Sequence, residues 1–291
     1  MRKQIGLVSL PAAILLLVSS LTGAEKTWKD ASVQVGDIKT HYLESGSGDR
    51  HLIFLPGLAM TAEVWQEQIP YFASRGFHVI AIDPRSQGLT TKTEGGNTYH
   101  QQAADLHAFL EKLKLEHCTL VGWAAGAVAL LEYVSSSETL QPDRLVFVDW
   151  APPGFNEKDY PSRAALQAAR DTALAMEDDR AKATDQLVHG MFKSQQPGVV
   201  YKGLSDGSLK TPTGTVIALL FDLISGDRRP AFAQISVPTL IVTSQDNRLA
   251  GEYVQSKIPG SELKVIADAG HALFLEKPQA FNQALEDFLG K

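Results

Sequence analysis

The chain has one cysteine, Cys118, so no disulfide can form within it; its place in an apolar run marks it as a core residue rather than a redox or metal group. Also missing is any cluster of lysine and arginine or basic stripe interleaved with aromatics; with a net charge of −6, nucleic acid is excluded as an expected partner. No H-E-x-x-H or comparable spacing links the eight histidines, so neither a metal nor another cofactor is expected. No internal repeat or low-complexity segment stands out. The main apolar run, from about Ile5 to Val18, is short for a membrane span. Arg2 and Lys3 precede it and the small residues Ser19 to Ala24 follow, which is the pattern of a secretory leader, here residues 1–24. The expectation is a periplasmic or secreted protein beginning near Glu25, with no stable membrane span once the leader is removed. An uncleaved anchor is the alternative.

With 44% apolar residues, the remaining chain is long enough to bury a sizeable core. Two β-rich runs, Ala31 to Val35 and Ile38 to Leu43, flank Gly36-Asp37 and predict an antiparallel hairpin at a sheet edge. Strand-like runs and helical periods then alternate, the mark of a mostly parallel sheet covered by helices on both faces. The predicted strands are His51 to Leu55, Phe77 to Ile82, Cys118 to Val121, Leu145 to Val148, Thr239 to Thr243 and Glu262 to Ile266. Between residues 155 and 230 the alternation stops and helical segments follow one another (Ser162 to Met176, Arg180 to Phe192, Thr213 to Ile224). This predicts a helical cap on an α/β core made of residues 25–154 and 231–291, since loops at the carboxyl ends of strands build pockets in such folds.

At Gly122-Trp123-Ala124-Ala125-Gly126 a buried strand runs straight into an Ala- and Leu-rich helix. Two small residues permit the tight reversal, and the residue between them is held in strained backbone above the sheet. The form is G-x-S-x-G, the nucleophile elbow, but the central residue is Ala124. A methyl group stands where a hydroxyl is expected.

Four motifs in series give the chain its resemblance to the α/β-hydrolase superfamily, in its esterase and bacterial haloperoxidase-like branch. Phe54 to Met60 resembles the oxyanion loop, with Pro56 where histidine is common; Asp83-Pro84-Arg85-Ser86-Gln87-Gly88 resembles the D-x-R-G-x-G loop, with serine in place of its first glycine. The elbow is the third. The fourth is the pair of late loops, Thr243-Ser244-Gln245-Asp246 and Ile266-Ala267-Asp268-Ala269-Gly270-His271. The resemblance implies the α/β-hydrolase fold, with His271 as the base for a nucleophile at position 124 and a carboxylate to fix its tautomer and stabilise its charge. Asp246 is favoured for that carboxylate. Asp268 sits only three residues before His271 and is expected to shape the turn; Asp149, used in some relatives, is followed by Pro152-Pro153, which reads as a structural exit into the cap. The resemblance also implies an oxyanion hole from the backbone N–H groups of Leu58 and Ala125, which survive any side-chain change. Trp123 and Trp150 are candidates to line a small-molecule pocket, with core packing as the alternative, and Arg85 either meets an anionic substrate or braces its own loop.

Loss of a serine nucleophile in a hydrolase of another fold costs roughly six orders of magnitude in turnover, so an esterase site with Ala124 is expected to be nearly inactive. Three readings follow. The chain is a Ser-to-Ala form of a hydrolase for carboxylic esters or similar small acyl compounds; or it binds such compounds without turnover; or a His271–Asp246 dyad acts alone as a general base in lyase or cofactor-free oxygenase chemistry.

Overall fold

The computed structural model describes residues 27–136, 141–152, 155 and 162–290. The expected leader, residues 1–24, and most of the expected core-to-cap junction lie outside the described residues.

Strands β1 (Lys29–Val35) and β2 (Ile38–Ser45) form the edge hairpin, in register from Lys29 opposite Glu44 to Val35 opposite Ile38. Six further strands follow: β3 (His51–Leu55), β4 (His78–Ile82), β5 (Cys118–Trp123), β6 (Arg144–Val148), β7 (Thr239–Ser244) and β8 (Glu262–Ile266). They complete one eight-stranded sheet ordered β1-β2-β4-β3-β5-β6-β7-β8. β2 pairs antiparallel with both β1 and β4, and every other pairing is parallel.

Alternation of side chains along the central strands builds a core on each face. Ile53, Leu120, Leu145, Phe147 and Ile241 face α2 (Tyr99–Leu113), α3 (Ala125–Ser135) and α8 (Arg248–Lys257). Their neighbours Leu52, Phe54, Val121, Val146, Val148, Leu240 and Val242 face α1 (Gln68–Ala73), α9 (Leu273–Glu276) and α10 (Pro278–Leu289). Strands covered on both sides read as near-continuous apolar runs, which is why they are legible without a period-2 pattern. Cys118 is buried in the first of these cores, and burial pushes its thiol up to about 12.

Between β3 and β4 a 3₁₀ turn over Ala62–Trp65 precedes α1. The carboxylate of Asp83 pins its first residue by accepting the Ala62 N–H at 2.7 Å.

Between β6 and β7 the chain forms α4 (Arg163–Asp178), α5 (Arg180–Gly190), α6 (Gly198–Leu209) and α7 (Thr213–Ser225). Ser162 and Asp179 cap the first two through their side chains, accepting the N–H of Ala165 and Lys182. The α6 helix was not anticipated. It contains Gly198, Gly203 and Gly207, which weaken a helical pattern, but Gly207 presents its missing side chain to Thr61 of the core, 3.3 Å from a Cβ placed there. Among the described residues, no helix is long and apolar enough to cross a membrane.

Candidate active site

The elbow forms where β5 meets α3. Ala124 has φ 49° and ψ −113°, a conformation costing about 1–3 kcal/mol in a residue with a side chain. Its N–H donates to Val148 O at 3.0 Å, and its carbonyl accepts from Ala127 N–H at 3.0 Å, fixing the bend from both sides. A Cβ on Gly122 would lie 2.6 Å from Ala127 N, and one on Gly126 would lie 2.7 Å from Leu55 O. Both glycines are therefore required by close backbone approach. Ala124 itself is partly buried.

Beyond β3 the oxyanion loop crosses directly over this bend. A Cβ on Gly57 would stand 3.2 Å from the Trp123 ring and 3.5 Å from the Ala124 Cβ. Ala59 holds a left-handed φ of 58°, and Met60 N–H closes the turn onto Gly57 O at 3.1 Å. Among the described residues, the N–H groups of Leu58 and Ala125 have no hydrogen-bond partner. Two donors without partners beside the elbow are the groups an oxyanion would use. Asp83 supports the loop from below, accepting Ala62 and Leu89 N–H and the Nδ1 of His41 at 2.8 Å. Burial works to lower the His41 pKa, but Asp83 and Asp30 outweigh it and hold the imidazole above its ordinary value.

His271 pairs with Asp149, not with Asp246. Its Nδ1 lies 2.7 Å from Asp149 Oδ2, so it donates there when that nitrogen carries the proton. Asp149 follows β6 directly, with φ 46° and a fully buried carboxylate. Oδ1 accepts Ser244 N–H at 2.7 Å and the Thr243 hydroxyl at 3.1 Å; Oδ2 also accepts Asn247 Nδ2 at 2.7 Å. Burial works to raise this carboxyl, yet the His271 contact and the Ser244 N–H hold it below the usual carboxylate range. Asp246 is exposed and makes no hydrogen bond or ion pair among the described residues. The loop after β7 thus supplies donors to the acid rather than the acid itself. Asp268 behaves as expected of a turn residue: φ is 52° and the side chain points out to Lys193 at 3.7 Å.

Trp123 is fully buried and does not present its ring to a ligand. It acts on the site indirectly: its indole N–H donates to His271 O at 3.0 Å, and the two rings lie 5.2 Å apart. Trp150 is half-buried and packs toward Phe232 with ring centroids 6.4 Å apart. Arg85 is a brace. Its guanidinium makes paired bonds with Asp37 and Asp105, with one bond to each carboxylate at 2.7 Å.

One residue that sequence reasoning passed over is Glu276. Its carboxylate accepts Gly270 N–H at 2.8 Å, Lys193 N–H at 3.0 Å, Ser194 N–H at 2.7 Å and the Ser194 hydroxyl. Burial works to raise it, but these four donors hold it below the ordinary range. Glu276 thereby ties the end of the α5 segment to the His271 loop, helped by Ala272 N–H on Met191 O at 2.9 Å. The only sequence signal was its spacing of five residues from His271.

Under the cap a narrow cavity of about 40 Å³ is lined by Leu58, Met60, Met176, Thr184, Met191 and Ser208, among others. It lies between the oxyanion loop and Met191, the residue bonded to the His271 loop. A larger groove of about 420 Å³ runs between α6 and the 3₁₀ turn, lined by Met60, Thr61, Val64, Val199 and Leu204 among others. No reacting group lines that groove. Among the described residues, no group of three or more histidine, cysteine or acidic side chains is placed to hold a metal.

A sheet of this topology, with a strained elbow, two free N–H groups and an Asp149–His271 pair at the strand ends, defines a hydrolase-type site. The chain belongs to the alpha/beta hydrolase family, whose model matches residues 52–284. The AB hydrolase superfamily protein YisY of Bacillus subtilis is 26% identical over 254 residues, covering 86% of this chain and 95% of that protein. The 3-oxoadipate enol-lactonase 2 of Acinetobacter baylyi is 28% identical over 258 residues, covering 86% and 92%. Among solved structures, bromoperoxidase from Bacillus anthracis superimposes with a TM-score of 0.82 at 23% identity, covering 90% of this chain and all of that one.

Proposed function

We propose that this chain carries a site for carboxylic esters or related small acyl compounds, complete except for the nucleophile hydroxyl. It binds such compounds and turns them over only very slowly. The observation that carries the reading is the 2.7 Å contact of His271 with buried Asp149 beside an elbow that retains its strained backbone at Ala124. Holding a carbonyl at the Leu58 and Ala125 N–H groups needs no side chain at position 124. Forming the acyl-enzyme does, because the attacking oxygen is absent.

The test is to supply that oxygen. Ala124→Ser is expected to raise kcat/KM for 4-nitrophenyl acetate by at least about a thousandfold, and His271→Ala in the same background to remove the gain. Equal rates in both forms would contradict the reading. The preserved His271–Asp149 pair favours one further possibility, a dyad acting alone as general base on an acidic C–H or O–H. Activity in the Ala124 form that disappears with His271→Ala would favour that dyad. We propose export as part of this reading, from the sequence of residues 1–24, with an N-terminus near Glu25 in the processed protein.

A further inference from the structure

Three hydrogen bonds fix the backbone at His271, and two of them lead to the cap. The carbonyl of His271 accepts the Trp123 indole N–H at 3.0 Å, from within the core. Ala272, the residue after it, donates its N–H to Met191 O at 2.9 Å. Gly270, the residue before it, donates its N–H to Glu276 Oε2 at 2.8 Å. That same oxygen accepts Lys193 N–H at 3.0 Å, while Oε1 accepts the N–H and the hydroxyl of Ser194. Met191, Lys193 and Ser194 belong to the short segment that follows α5, and Met191 also lines the narrow cavity that Leu58 closes from the oxyanion side. The segment that holds the base therefore also shapes the space beside the oxyanion loop.

The two backbones meet with no side chain between them. A Cβ on Gly270 would lie 2.6 Å from Met191 O and 2.7 Å from Lys193 N. Joining donors from both segments takes an acceptor with capacity on each of two oxygens, which a carboxylate has and an amide lacks. An amide in its place would turn an NH2 toward donors at one oxygen position or the other.

We propose that Glu276 is a positioning residue for His271, and that through it the setting of the imidazole depends on the cap. A shift of the Met191–Ser194 segment is carried to Gly270 by the one carboxylate oxygen that accepts from both Lys193 and Gly270. The consequence for catalysis rests on the functional reading given above; the coupling between cap and imidazole does not.

The isosteric change Glu276→Gln tests this in the full chain. Nitrogen-resolved NMR should show the His271 Nδ1 proton exchanging with solvent at least about tenfold faster than in the native chain, while the amides of β5 and β6 stay within about twofold. In the Ala124→Ser background the same change should lower kcat for 4-nitrophenyl acetate by at least about tenfold and leave KM within about twofold, the split expected when a base is misplaced and binding is not. From the cap side, Ser194→Ala removes only the hydroxyl bond to Oε1 and should speed the same Nδ1 exchange by about threefold or more. That arm decides the matter if Glu276→Gln does not fold. Nδ1 exchange that stays native in the variants would overturn the assignment. So would exchange that rises in step with the β5 and β6 amides, because the carboxylate would then serve general stability alone. Failure of Ala124→Ser to hydrolyse the ester would remove the functional reading, and the exchange measurements in the Ala124 chain would still decide the coupling.

Discussion

Two neighbouring parallel strands, β6 and β7, end in the same layer of the sheet, and each delivers an aspartate within two residues of its last paired position. The Asp149 carboxylate is fully buried and takes four hydrogen bonds, one of them from His271; Asp246 is exposed and meets nothing described. The difference lies in what surrounds each carboxylate, not in its place along a strand. Asp149 turns inward through a left-handed φ at the β6 end, where the β7 loop offers it the Ser244 N–H and the Asn247 amide. Those donors keep it ionised in a dry position, which a histidine partner requires. Asp246, turned to solvent, has neither the burial nor the donors.

The largest effect that separates the two is catalytic. With the hydroxyl restored by Ala124→Ser, Asp149→Asn should lower kcat by about 10⁴, the cost of a misdirected imidazole in the serine-protease case. Asp246→Asn in that background should stay within about twofold, as expected for a surface change. A large loss on Asp246→Asn would erase the distinction. In the unaltered chain, Asp149→Ala removes a buried acceptor and strands Ser244 N–H and the Asn247 amide. It should cost about 2–3 kcal/mol in denaturant unfolding, against less than about 0.5 kcal/mol for Asp246→Ala.

A smaller effect sharpens the comparison through pH. The folded-state pKa of Asp149 is depressed, so its contribution is complete above the unfolded carboxylate value of about 4 and is lost as pH falls through the lower folded value. Stability of the native chain should therefore approach that of Asp149→Ala at acid pH and exceed it near neutrality. A gap that does not change with pH would show that the carboxylate charge is not involved.

Much of this arrangement is legible in the sequence where one physical requirement dominates. Gly122 and Gly126 identify the elbow because backbone atoms lie within 3 Å of where their side chains would be. The central strands announce themselves because both faces are covered. His271 is marked by the loop that follows β8. The acid was misassigned because burial and donor geometry are tertiary properties: Asn247 and Ser244 are spaced along the chain as if to serve Asp246, yet they turn toward the next strand. Trp123 was a candidate to line a pocket, with core packing as the alternative; it packs in the core, where its indole N–H secures the backbone of His271. The α6 helix went unread because its three glycines argue against a helix until the core surface at Thr61 is known.

The account rests most heavily on the partner of His271, and nitrogen-resolved NMR of its imidazole in the native chain examines that directly, without any need for turnover. We expect Nδ1 to carry a proton protected from solvent exchange, with Asp246→Asn leaving its signal in place and Asp149→Asn abolishing the protection. A native Nδ1 without a protected proton, or signals that respond to Asp246→Asn and not to Asp149→Asn, would contradict it.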